Sequence, residues 1–172
     1  MYLSKINVSK IKTNTQVEFE KVVDDLLMIS IDNDTTDQKT IFSYWRLIGT
    51  GVNPPMEIGI NTTTGKIKSI TLFVDPDYFA EISFSSQNYE EGNIVLNSDI
   101  FNKENDYIDI KGNYSVSLDN GKFICVFCEK CEIKDIIMNG SISFFLNNND
   151  ELSGFAISNL REDDINLINS LK

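Results

Sequence analysis

The segment Ile58-Gly59-Ile60-Asn61-Thr62-Thr63-Thr64-Gly65-Lys66-Ile67-Lys68-Ser69-Ile70-Thr71-Leu72 reads as two strands joined by a tight connection. Apolar residues recur at every second position on either side of a polar run that ends in glycine. That is the pattern of a β-hairpin. In the second strand, Ile67, Ser69, Thr71 and Phe73 alternate with Lys68, Ile70, Leu72 and Val74. Both faces carry apolar weight, so a strand buried on both sides is expected.

The same period extends outward in both directions. Strands are predicted at Leu3–Val8, Val17–Val22, Leu27–Ile31, Ile41–Ile48, Ala80–Phe84, Ile94–Asn97, Tyr107–Lys111, Tyr114–Leu118, Lys122–Phe127, Ser141–Leu146 and Leu152–Ser158. They are rich in Ile, Val, Phe and Tyr, which fit a pleated surface. Polar punctuation such as Asp119-Asn120-Gly121 and Asn147-Asn148-Asn149-Asp150 separates them. Val22, Val23, Leu26, Leu27 and Ser30 also fit helical spacing, so Val22–Ser30 is open to either reading. At the C-terminus, Ile165, Leu167, Ile168 and Leu171 follow an acidic run at 162–164, which predicts a short helix with Asn159 as its cap.

An internal echo organises these strands. Ile29-Ser30-Ile31-Asp32-Asn33 resembles Val116-Ser117-Leu118-Asp119-Asn120, and each precedes an aromatic strand, at Ile41–Trp45 and at Phe123–Phe127. A hairpin then follows in each half, and the order of elements is the same in both. The expectation is an all-β, or β-rich α+β, single domain over residues 1–172, with a pseudo-repeat at 17–74 and 107–158. Neither half of four strands buries a face alone, so the pair should form an antiparallel sandwich or a distorted barrel of two similar four-strand meanders. The linking stretch from Asp75 to Asn105 is expected to add edge strands.

Composition narrows the chemistry. The 172 residues contain no histidine, which removes Ser-His-Asp and Cys-His nucleophile systems and imidazole metal sites. The net charge of −11 repels phosphate backbones and favours basic protein partners over nucleic acid. The N-terminus lacks the apolar core of a signal peptide, and no apolar run is long enough to span a membrane. A cytoplasmic address without a membrane role is expected. Cys125, Cys128 and Cys131 have C-x-x-C-x-x-C spacing. Three thiols without a histidine make an incomplete zinc set, and an iron–sulfur cluster wants a fourth cysteine. They read as ordinary thiols, so neither a metal nor another cofactor is expected.

Other motifs fail on inspection. Asp32-Asn33-Asp34-Thr35-Thr36-Asp37 resembles a calcium loop, but Asp37 and Ser43 stand where an EF-hand needs Gly and Glu. Gly49-Thr50-Gly51-Val52-Asn53-Pro54-Pro55 opens as a dinucleotide motif, yet Pro54 replaces the third glycine. The acidic pairs Asp75/Asp77, Glu90/Glu91 and Asp163/Asp164 carry no information on the separation that a glycosidase requires. No catalytic residue is assigned. The candidate binding residues are Tyr44, Trp45, Arg46, Asn53, Pro54 and Pro55: residue types enriched in hot spots, next to a loop with rigid backbone.

Two functions remain in view, beside an assembly subunit whose exposed edge strands would pair between chains. The first is a non-catalytic acidic protein acting by protein–protein interaction, for example an immunity-type inhibitor of a basic toxin. The second is a small-ligand or carbohydrate-binding β module, with carboxylate hydrolysis as its catalytic variant. A deep apolar pocket with converging polar groups would favour the second.

Overall fold

The computed structural model describes residues 3–11, 13–34, 41–84, 87–102, 106–127 and 132–172. Its strands run in chain order β1 Lys5–Ser9, β2 Asn14–Val23, β3 Leu26–Asp34, β4 Phe42–Ile48, β5 Met56–Asn61, β6 Ile67–Val74 and β7 Asn88–Glu91. They continue with β8 Asn93–Leu96, β9 Tyr107–Lys111, β10 Ser115–Asp119, β11 Lys122–Val126, β12 Ile133–Asn139, β13 Ile142–Asn147 and β14 Leu152–Ile157. One helix, α1 Glu162–Asn169, follows. No helix among the described residues is long and apolar enough to cross a membrane.

Two six-stranded sheets share one strand order. The first runs β2-β3-β6-β5-β4-β9 and the second β10-β11-β14-β13-β12-β7. Each contains a hairpin, a three-strand meander whose last strand pairs with that hairpin, and a parallel edge strand. β9 runs parallel to β4, and β7 parallel to β12. Both sheets end in open edges, so the architecture is a β-sandwich and not a closed barrel. β1 and β8 form a separate antiparallel pair.

The hairpin read first from the sequence is β5–β6, and β13–β14 is its counterpart. The echoed segments Ile29–Asn33 and Val116–Asn120 fall on β3 and β10, which hold different places in the two sheets. By place, β2–β3 corresponds to β10–β11, and β4 to β12. The matching places therefore run through β2–β6 and β10–β14, with β9 and β7 as corresponding edge strands.

The core lies between the sheets. Leu27, Ile29 and Ile31 of β3, Ile58 and Ile60 of β5, and Ile70 and Leu72 of β6 meet Phe123, Phe144 and Phe155 of the second sheet in one buried cluster. The Phe19 and Phe123 rings meet edge-on across the gap at 6.2 Å. The Tyr114 hydroxyl donates to the carbonyl of Phe73, tying the start of β10 to β6. Burying each large side chain contributes about 1.5–3 kcal/mol before entropy is counted.

Val22–Ser30, open to either reading in the sequence, is a strand hairpin, because Leu27, Ile29 and Ile31 follow period two into the core. Other sequence expectations need correction. Ala80–Phe84 is not a strand. It crosses the outer face of the second sheet, where Ile82 and Phe84 pack on Ile124, Val126, Ile133, Ile136, Phe145 and Ala156. The Phe84 and Phe145 rings lie 4.9 Å apart. β12 went unread because Ile136 and Ile137 bury on opposite faces and a bulge breaks its period. β7 is exposed throughout and has no apolar pattern to read. β6 is buried on its inner face alone, with Ser69, Thr71 and Phe73 only half-covered. The helix cap is Arg161, whereas Asn159 adopts a positive φ of 59° before it.

Gly65 shows why the β5–β6 turn must end in glycine. Its φ is +70°, and a Cβ there would come within 2.3 Å of the Leu96 carbonyl oxygen. That close approach lets the Leu96 amide donate to the Gly65 carbonyl at 2.8 Å, docking the hairpin on β8.

Candidate functional site

The outer faces of the two sheets differ. The second is apolar and closed by the chain's own 79–84 segment. The first carries Glu18, Ser30, Thr71, Glu57, Arg46 and Asp109 in one cross-strand row, and Gln16, Asp32, Ser69, Gly59, Tyr44 and Tyr107 in the next. No described segment covers these rows.

Four side chains organise one end of this face. Tyr44 on β4 stands opposite Tyr107 on β9, and their rings stack at 5.2 Å with 14° between planes. Two residues on, Arg46 stands opposite Asp109. The guanidinium donates to both carboxylate oxygens, from Nε at 2.7 Å and from Nη2 at 2.9 Å. It also lies 4.7 Å from the centre of the Tyr107 ring, and Glu57 stands 3.9 Å away on its other flank. The bond to Asp109 raises the Arg46 pKa further above its ordinary range. Gly59 lies beneath the Tyr44 ring, since a Cβ there would sit 3.3 Å from the ring edge. The arrangement is an aromatic step with a fixed, half-exposed arginine, held by backbone pairing and not by a mobile loop.

The six candidate residues do not form one surface. Tyr44 and Arg46 share the outer face, but Trp45 points inward and is 3% exposed. Successive strand residues face opposite ways, so three in a row cannot make one patch. The Asn53 amide donates to the Asp75 carboxylate at 2.5 Å, and that carboxylate also accepts from the Asp77 amide of a 3₁₀ turn over Pro76–Tyr78. Pro54 is exposed and Pro55 half-buried, at the rim of the same loop. Asn53 is thereby engaged in closing the end of the sandwich.

Tyr107, Asp109 and Glu57 were missed. The sequence held a partial signal in the alternation of Tyr107, Asp109 and Lys111 along a predicted strand. What brings them to Tyr44 and Arg46 is parallel pairing across more than sixty residues of chain, which no local pattern reports.

The remaining motifs have ordinary places. Asp32 accepts from Lys68 at 2.8 Å on the sheet face, while Thr35, Thr36 and Asp37 of the calcium-like run lie outside the described residues. Cys125 is fully buried, and burial pushes its thiol pKa well up. Cys128 and Cys131 lie outside the described residues. No metal-ligating cluster occurs among the described residues.

A cleft of about 430 Å³ opens between the sheets beside β9. Trp45, Leu47, Phe127 and Leu152 line its floor, with Lys111, Asn149 and Glu151 at the rim. Trp45 and Phe127 meet there at 6.0 Å. No protein-family model matches this chain, and no curated protein matches it.

Proposed function

We propose that this chain is a non-catalytic, cytoplasmic binding protein that acts by protein–protein interaction on a basic partner. The observation that supports the reading is the uncovered outer face of the first sheet, with its Tyr44–Tyr107 stack and the Arg46–Asp109 pair. Tyr and Arg are the residues most often found at the centre of protein interfaces, and a pre-ordered set loses little entropy on binding. Arg46 is neutralised by Asp109 and Glu57, so the net charge of −11 sets the long-range field. That field draws in a basic partner quickly and in a salt-sensitive way. An inhibitor of a basic toxin is one form such a protein takes.

The test is affinity capture at low salt with the wild-type chain beside Tyr107→Ala. A basic protein retained by the first and lost from the second is expected. Equal retention by both overturns the assignment of this face.

The cleft beside β9 supports a second reading, a small-ligand or carbohydrate-binding module. Its catalytic variant has little support, because the described cleft presents a single carboxylate, Glu151, which already accepts from Asn147 at 2.9 Å. A thermal-shift screen of neutral sugars and small amphiphiles tests it. A rise in melting temperature that Trp45→Phe abolishes would favour this reading over the first.

A further inference from the structure

At the other edge of the first sheet, β2 offers an extended strand of ten residues with no strand neighbour on its outer side among the described residues. Glu18 and Glu20 are exposed along one face, and Val17 and Phe19 are half-buried against the core on the other. A trough of about 680 Å³ runs along this edge, lined by Gln16 to Glu20 and by Arg161. Residues in unbroken succession along one wall mean that the trough follows the strand.

Both nearby cations are engaged. Lys21 pairs with Asp24 at 3.3 Å, and Arg161 pairs with Asp164 at 2.8 Å. Glu18 and Glu20 have no salt-bridge partner among the described residues. The edge thus combines backbone groups with no strand partner among the described residues, two exposed carboxylates on one face, Glu18 within the field of Arg161, and a half-buried apolar row on the other.

We propose that the edge of β2 is a strand-addition site for an extended segment of the partner protein, one that alternates basic and apolar side chains. Backbone groups supply the pairing, basic residues stand opposite Glu18 and Glu20, and the alternating apolar residues extend the cover over Val17 and Phe19. A second copy of this chain is a poor occupant. Antiparallel self-pairing centred on Phe19 sets Glu18 opposite Glu20 twice, and like charges placed opposite each other destabilise a sheet.

The inference rests on the protein-binding role but uses a different surface from Tyr44 and Tyr107. Its probe is the blocked heptapeptide TKVKVKT, titrated into the ¹⁵N-labelled protein. Amide shifts and slowed exchange confined to Gln16–Glu20 are expected, weakening as salt rises. The same peptide N-methylated at alternate residues should not bind, because it cannot complete the backbone ladder. The double variant Glu18→Lys, Glu20→Lys, altered only at exposed positions, should bind about tenfold more weakly.

Equal binding of the N-methylated peptide would reduce the effect to charge alone and overturn strand addition. Shifts centred on Tyr44 and Tyr107, or no binding, would overturn it as well. Tyr107-dependent capture of a partner that persists through either result leaves the protein-binding role standing and removes only this site. Failure of the wild-type chain to capture any basic protein removes the broader reading separately.

Discussion

Arg46 and Asp109 meet through two parallel hydrogen bonds on the outer face of a sheet, from strands that lie far apart in the chain. The pair pins edge strand β9 to β4 at the point where the Tyr44–Tyr107 stack begins. It therefore fixes the geometry of Arg46 and stabilises a sheet edge at once.

Asp109→Asn separates those two roles. Asp109 is nearly half-exposed, so solvent screens the pair and the stability cost should be about 0.5 kcal/mol. Urea unfolding checks this. Partner capture should fall much more steeply than stability, because Arg46 loses its fixed geometry.

Gly65→Ala should be far more damaging. The side chain would require a strained positive φ and would collide with the Leu96 carbonyl. A loss of about 2–4 kcal/mol is expected, read as a lower urea midpoint. Thr64→Ala, one residue earlier, lacks that conflict and should cost under about 1 kcal/mol.

Phe84→Ala should uncover the outer apolar face of the second sheet. Phe84 is half-buried, so a cost of about 1–3 kcal/mol is expected, together with stronger binding of an apolar dye by the folded protein. Unchanged dye binding would show that Ile82 suffices as cover.

Asp164 links folding to pH. Its carboxylate accepts from the Arg161 side chain and backbone amide, and the side-chain bonds are the main reason its pKa is lowered from 3.8. A carboxyl with a lower pKa when folded stabilises above its unfolded pKa, and that contribution disappears as pH falls through the folded value. Asp164→Asn should therefore destabilise at pH 7, while the gap from wild type closes as pH falls below 3.8 and through the lower folded value. Thermal melts across this range give the result directly.

Trp45 is the only tryptophan and is nearly fully buried. Native emission should be blue-shifted and poorly quenched by iodide, turning red on unfolding. Easy quenching of the folded protein would contradict its inward placement.

Much of this was legible locally. The 58–72 hairpin follows from alternation and a terminal glycine, since strand period and turn chemistry are properties of neighbouring residues. Alternation also separates Trp45 from Tyr44 and Arg46, although their adjacency in the chain had suggested one patch. β7 and the covering role of Ile82 and Phe84 were not legible. An all-exposed strand is held only by its partner, and an apolar pair in a loop carries no record of the surface that it will cover.

The amino-acid sequence by itself determined an extended, acidic chain without histidine chemistry, because period, charge and residue types are summed along the backbone. Tertiary structure alone decided which face stayed open and which residues met there. Tyr44 stacks on Tyr107, and Arg46 grips Asp109, only because parallel pairing places β9 beside β4. That choice depends on how both sheets bury their apolar rows together, a balance spread over the whole chain.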